Sequence, residues 1–141
     1  MLLKQEGVPM FGVDLSTHEC DGHVVVALCG ELDIADAAGV AAALAAVAAR
    51  DLEIIVDLTG LEFIDSSGVA ALARGRKHAR LAGGDLVLAA PQEQVLRVLT
   101  LTRLIEVFPV HPSVDEAAGR AGRSQRSAAP VAGSPVILAV T

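Results

Sequence analysis

Two neighbouring hydroxyls stand between an acid and a glycine at Asp65-Ser66-Ser67-Gly68, where an apolar run meets an amphipathic one. Several chemistries use residues of these types. An Asp or Ser where a loop enters a helix caps free backbone N–H groups, worth about 1 kcal/mol. On these four letters alone the cap is the first reading. A nucleophilic serine instead needs a base within hydrogen-bond reach and oxyanion donors. The G-x-S-x-G elbow lacks its leading glycine, because Ile64 stands there. Of the 4 histidines, His18 and His23 flank a hairpin turn. His78 lies about 18 Å down the helix that Ser66 begins. His111 alone escapes this veto, which leaves a small serine hydrolase as a remote alternative.

A helix N-terminus can also hold an anion through its open N–H groups. The chain has no G-x-x-x-x-G-K-[ST], no G-x-G-x-x-G and no lysine beside the motif, and Glu62 and Asp65 would repel a nucleotide. The remaining chemistry is covalent phosphate on a serine. A hydroxyl at an exposed helix start is within reach of another enzyme, and phosphate adds about −1.5 to −2 charges. The helix dipole tolerates that charge locally, so the fold should survive. A partner surface fitted to a small neutral serine would not tolerate it.

The bulk of the chain narrows the partners. Its 141 residues suit one domain. With 3 Phe, no Trp and no Tyr, the core must be built from Ala, Val and Leu, and base or sugar stacking is not the expected business of the surface. Arg120, Arg123 and Arg126 are the only charges after Glu116, so a net −6 less their +3 leaves −9 on residues 1–118. An acidic body disfavours DNA and anionic membrane and suits a basic protein partner. Arg74, Arg76, Lys77, His78 and Arg80 form the one basic cluster. It reads first as a solvated face near a helix C-terminus, and second as a docking surface for an acidic partner. Cys20 and Cys29 form no C-x-x-C pair and have no His cluster, so no metal is expected. They read as buried or half-buried thiols. A disulfide across neighbouring strands would need Cα atoms within about 7 Å. "MLLKQEGVPM" has no apolar signal-peptide core, and no run approaches the roughly 18 apolar residues of a membrane span. The default setting is cytoplasmic, with no cofactor.

The elements that must position the motif follow from periodicity and punctuation. Residues 1–10 read as a flexible leader. A strand over 11–17, a turn with Asp21-Gly22 and a β-branched strand over 23–29 predict an antiparallel hairpin. Gly30-Glu31-Leu32-Asp33 then breaks the strand, and a helix follows with Asp33 or Asp36 as its N-cap. Ala37, Val40, Ala41, Leu44, Val47 and Ala48 give it one apolar face. "EIIVDL" at 53–58 reads as a central strand covered on both faces, and 59–64 as a short loop. A second helix over 66–82 turns Val69, Leu72, Ala73 and Ala79 inward and stops at Gly83-Gly84. A strand over 85–90, a helix opened by Pro91, a fifth strand "LIEVF" at 104–108 and a last helix over 113–121 complete the pattern. Residues 122–141 read as a mostly disordered tail. The order β-β-α-β-α-β-α-β-α predicts an α/β domain with a mixed, mostly parallel sheet.

Gly30-Glu31-Leu32-Asp33 after a strand, "IIVDLTGLEFIDSSGVAAL", "RLAGGDLVLAAP" and "VLRVLTLTRLIEVFPVHPSVDEA" occur in that order. Together they make the chain resemble the STAS domain of bacterial anti-sigma factor antagonists over about residues 11–119. The resemblance implies one STAS-like domain over 11–121 with helices mainly on one face, and a role that is not enzymatic. It implies that the unphosphorylated protein binds an anti-sigma factor, itself a GHKL-type serine kinase, and so frees a sigma factor. Phosphorylation by that kinase with ATP would break the complex, and a PP2C-type phosphatase would restore the antagonist. The acceptor position falls on Ser66. Asp65 matches the acid that orients that serine and contacts the kinase, and Ser67 the second hydroxyl. Gly68 matches a position of tight approach, and Glu31 and Asp33 the loop that also faces the partner. A STAS module for a separate transporter subunit or a signalling scaffold is the alternative implied by the same resemblance. The leader and the tail have no counterpart in compact members.

Overall fold

Asp21 and Gly22 reverse the chain with both residues at positive φ, 42° and 85°. That geometry matches the right-handed twist of paired strands. It joins β1 (Val13–Cys20) to β2 (His23–Leu32) in an antiparallel hairpin, with Cys20 opposite His23 and Val13 opposite Gly30. The computed structural model describes residues 10–50 and 52–119. Then follow α1 (Ile34–Ala48), β3 (Glu53–Ile64), α2 (Ser66–Leu81), β4 (Leu86–Ala89), α3 (Glu93–Leu101), a 3-10 turn (Leu104–Glu106) and β5 (Val110–His111). Residues 114–119 are helical, where the described residues end. One sheet runs β1-β2-β3-β4-β5, antiparallel only at β1. This is the mixed, mostly parallel α/β sheet that the element order predicts.

Period-2 alternation divides β3 between two cores. Ile54, Val56 and Leu58 join Val40 and Leu44 of α1, Val69 and Leu72 of α2, and Val95 and Leu99 of α3. Ile55 points the other way and joins Ala89 and Ala117, with Val25, Val87 and Val114 packed around them. Three helices therefore cover one face and the 114–119 helix part of the other. Ile54, Ile55 and Val56 are all buried, as a central strand requires. Gly75 brings α2 against α1 so closely that an added Cβ would lie 2.6 Å from Leu44 Cδ1.

Four local expectations need correction. The strand does not break at Gly30, because Gly30, Glu31 and Leu32 remain in β2. Two register shifts absorb the irregularity, between Ala27 and Cys29 and between Gly30 and Glu31. Residues 59–64 are not a loop, since β3 runs on to Ile64 with Leu61 opposite Gly30 and Phe63 opposite Glu31. "LIEVF" is not the fifth strand. Arg103 at φ 66° ends α3, Leu104–Glu106 form a 3-10 turn, and Val110–His111 pair with Leu88 and Ala89 instead. Cys29 is exposed rather than buried or half-buried. It stands opposite Asp14 while Cys20 stands opposite His23, so the two cysteines occupy opposite ends of the hairpin. That spacing is roughly 20 Å along the strands, far beyond a disulfide. The expected tail, and the leader apart from Met10, lie outside the described residues.

Candidate functional site

Two parallel strands end side by side, and each hands over at once to a helix through an aspartate. Asp33 follows β2 and caps α1, its carboxylate accepting from Ala35 N at 3.0 Å. Asp65 follows β3 and caps α2, accepting from Ser67 N and Gly68 N, both at 3.0 Å. Both caps have extended backbone, as the position demands. Asp65 N donates to Leu32 O at 3.2 Å, which ties the two handovers together. The C-terminal edge of parallel strands is where open α/β sheets place their sites.

Gly68 sets how closely α2 meets β2. A Cβ there would lie 2.7 Å from Ile64 Cγ1 and 2.9 Å from both Leu32 Cγ and Leu32 O. Its tight approach is thus to the core end of β2. Gly30 has φ 100°, and Gly12 O lies 2.4 Å from where its Cβ would be. Glu31 N donates to Gly12 O at 2.9 Å, leaving the Glu31 side chain exposed.

The two serines differ. Ser67 Oγ donates to Asp65 Oδ1 at 2.6 Å and is half-buried. Ser66 is exposed, and its hydroxyl has no hydrogen-bond partner among the described residues. The carboxylate expected to orient Ser66 therefore holds Ser67. The Ser67 hydroxyl, more than any other group, keeps the Asp65 carboxyl below the usual carboxylate range. The N–H groups of Gly68 and Ser67 add to this, and partial burial opposes it. Glu31, Asp33, Glu62 and Asp65 border this end of the sheet. The first cation along α2 is Arg74, about 12 Å beyond Ser66 by helix rise.

His111 offers no base to Ser66. It pairs with Ala89, which pairs with Asp57. Ile64 is seven residues beyond Asp57, so Ser66 lies roughly 20 Å further along the sheet. No group of three or more His, Cys, Asp or Glu with metal-binding geometry occurs among the described residues.

Three exposed apolar side chains stand near the starts of α1 and α2 and were not singled out from the sequence. Phe11 is 75% exposed, Ile34 76% and Phe63 45%. Phe63 is the neighbour of Glu31 across the ladder, and Ile34 is the first residue of α1. Phe11 N donates to Asp36 Oδ1 at 2.7 Å, which brings it to the start of α1. The available signal was composition. Two of the 3 Phe stand here rather than in a core short of aromatics.

Comparison with known proteins places the fold in a known family. A family model described as the STAS domain matches residues 14–117. The anti-sigma-F factor antagonist RsfA of Mycobacterium tuberculosis is 32% identical over 101 residues, 69% of this chain and 78% of that protein. A second M. tuberculosis protein, named for an anti-anti-sigma role, is 40% identical over 67 residues, spanning 48% of this chain and 45% of that one. This chain thus covers less than half the length of that relative. A solved anti-sigma factor antagonist from Mycobacterium paratuberculosis superposes with a TM-score of 0.71 at 28% identity, covering 77% of this chain and 93% of that one.

Proposed function

The chain belongs to the STAS domain family, and from that premise we propose that it is an anti-sigma factor antagonist switched by phosphate at Ser66. With Ser66 unmodified, the rim of Glu31, Asp33, Asp65, Ser66, Ser67 and Gly68 binds an anti-sigma factor, a GHKL-type serine kinase, and a sigma factor is freed in the cytoplasm. The kinase transfers the γ-phosphoryl of ATP to Ser66 Oγ. One P–O bond forms, the bond to ADP breaks, and the hydroxyl proton leaves to a base on the kinase. A PP2C-type phosphatase hydrolyses the phosphoserine and resets the protein.

The observation that carries this reading is the contrast between the two serines. Ser66 is exposed and unbonded at the first position of α2, whereas Ser67 is held by Asp65. A phosphate on Ser66 finds the N–H groups of Ser67 and Gly68 already taken by Asp65. It therefore adds up to about two negative charges to an acidic rim, where like charges repel at the surface a partner meets. A docked partner must then desolvate that charge without a counter-ion from this chain. The exposed position keeps the same charge away from the core, so folding is untouched.

The test is incubation with the cognate anti-sigma kinase and ATP, followed by intact mass and peptide mapping. One phosphate mapping to Ser66 supports the proposal, together with binding by Ser66→Ala and loss of binding by Ser66→Asp. Phosphate mapping to Ser67, or equal binding by both variants, overturns it.

A further inference from the structure

At the far end of α2 from Ser66, four of the chain's 11 Lys and Arg fall within residues 74–80. Three of them, Arg76, Lys77 and Arg80, rim a groove of about 390 Å³ between α2 and residues 104–108. Its lining is apolar, with Phe108 in its floor and Leu81 and Val107 on its walls. Arg76 is committed to holding the groove together. Its guanidinium donates to Asp85 Oδ1 at 2.8 Å and to the Val107 carbonyl, and lies 5.8 Å from the centre of the Phe108 ring. Lys77 and Arg80 are exposed and have no ion-pair partner among the described residues.

A solvated helix end accounts for Lys77 and Arg80, since cations near a helix C-terminus are favourable. It does not account for Leu81 at 76% exposure and Val107 at 55%, facing a recess beside those charges. Apolar walls under a cationic rim match one kind of surface: apolar side chains flanked by carboxylates. An anionic bilayer shares the sign but not the shape, because its surface is flat and the acidic body of this chain repels it.

We propose that this groove docks an acidic amphipathic segment of a protein partner, seating its apolar side chains against Leu81, Val107 and Phe108 and its carboxylates against Lys77 and Arg80. Lys77 and Arg80 lie about 16 and 21 Å along α2 from Ser66. The groove is therefore a second interface, open whether or not Ser66 carries phosphate, and it does not depend on the proposal made for that serine.

The probe is a capped 14-residue peptide with Leu at helical i, i+3, i+4 spacing and Glu elsewhere, titrated into the full isotope-labelled chain. Amide shifts confined to residues 73–81 and 104–108 are expected, with affinity falling about tenfold in Lys77→Glu/Arg80→Glu and in Leu81→Ser. These positions are exposed, so melting should be unchanged in both variants. The proposal is overturned by no binding, by shifts centred on Ser66 and Glu31, or by equal binding of a Lys-for-Glu peptide. It is also overturned if vesicles containing phosphatidylglycerol bind and the peptide does not, or if the same amides shift with protein concentration alone, which would assign the groove to a second copy.

Discussion

The Asp36 carboxylate accepts the Gly12 backbone N–H at 2.7 Å, and both neighbours of Gly12 donate to it as well, Phe11 at 2.7 Å and Val13 at 3.1 Å. Asp36 is 1% exposed. Gly12 O in turn accepts from Glu31 N, so one buried acid in the first turn of α1 braces the strand that carries the acidic rim. Asp36→Ala leaves three N–H groups without their acceptor and should cost about 3 kcal/mol. Urea unfolding measures that loss. Amide exchange should rise first at Phe11–Val13 and Glu31, and an unchanged midpoint would refute the brace.

Asp65 makes stability depend on acid. The Ser67 hydroxyl holds its folded-state carboxyl below the usual carboxylate range, so the charged form is favoured by folding. The resulting stabilisation is complete above about pH 4 and is lost as pH falls through the lower folded value. Asp65→Ala removes the α2 cap, costing about 1 kcal/mol at neutral pH, and should flatten the acid limb of a plot of stability against pH. Parallel limbs in wild type and variant would rule this out.

Gly68→Ala tests which of two opposing effects wins. Alanine for glycine in a helix gains up to about 1 kcal/mol from propensity. Here the new Cβ would meet a backbone oxygen, Leu32 O, at 2.9 Å, and backbone cannot rotate out of the way. Overpacking of this kind costs about 1–3 kcal/mol, so net destabilisation of about 1–2 kcal/mol is expected in thermal or urea melts. A stabilised variant would show that the contact between α2 and β2 is looser than described.

Ser66 and Phe63 should separate binding from folding. Both are exposed, so Ser66→Asp and Phe63→Ser should leave stability within about 0.5 kcal/mol. Phe63 stands beside Glu31 at the rim, where an aromatic anchor is worth about 2 kcal/mol of binding. Calorimetry with the cognate anti-sigma factor should show affinity about thirtyfold weaker for Phe63→Ser. Full affinity would place the partner elsewhere.

Residues whose conformation is decided by their own covalent chemistry and near neighbours were legible in the sequence. Asp21-Gly22 tolerates positive φ, a capping residue opens α1 and α2 (Asp33 or Asp36, and Asp65 or Ser66, by sequence; Asp33 and Asp65 in the structure), and Ile54–Val56 are apolar on both faces because the strand is central. The motif and its order along the chain carried the family as well. The role of Asp36 was not legible, since an Asp next to a helix start reads as a cap whether it caps or reaches 24 residues back to Gly12.

What the sequence determined by itself is the alternation of elements, the caps and turns between them, and the placing of two hydroxyls at the mouth of α2. Tertiary structure alone decided that Gly30–Leu32 and Thr59–Ile64 are strand, because each lends the other the ladder partners that Gly, Glu and Thr do not call for locally. It decided that residues 104–106 form a 3-10 turn while Val110–His111 close the sheet, because among the described residues the open edge of β4 is paired there. It also decided which serine is bonded. One carboxylate oxygen at a helix start reaches the hydroxyl two residues on and leaves the adjacent one in solvent, a difference of direction in space that no spacing of letters contains.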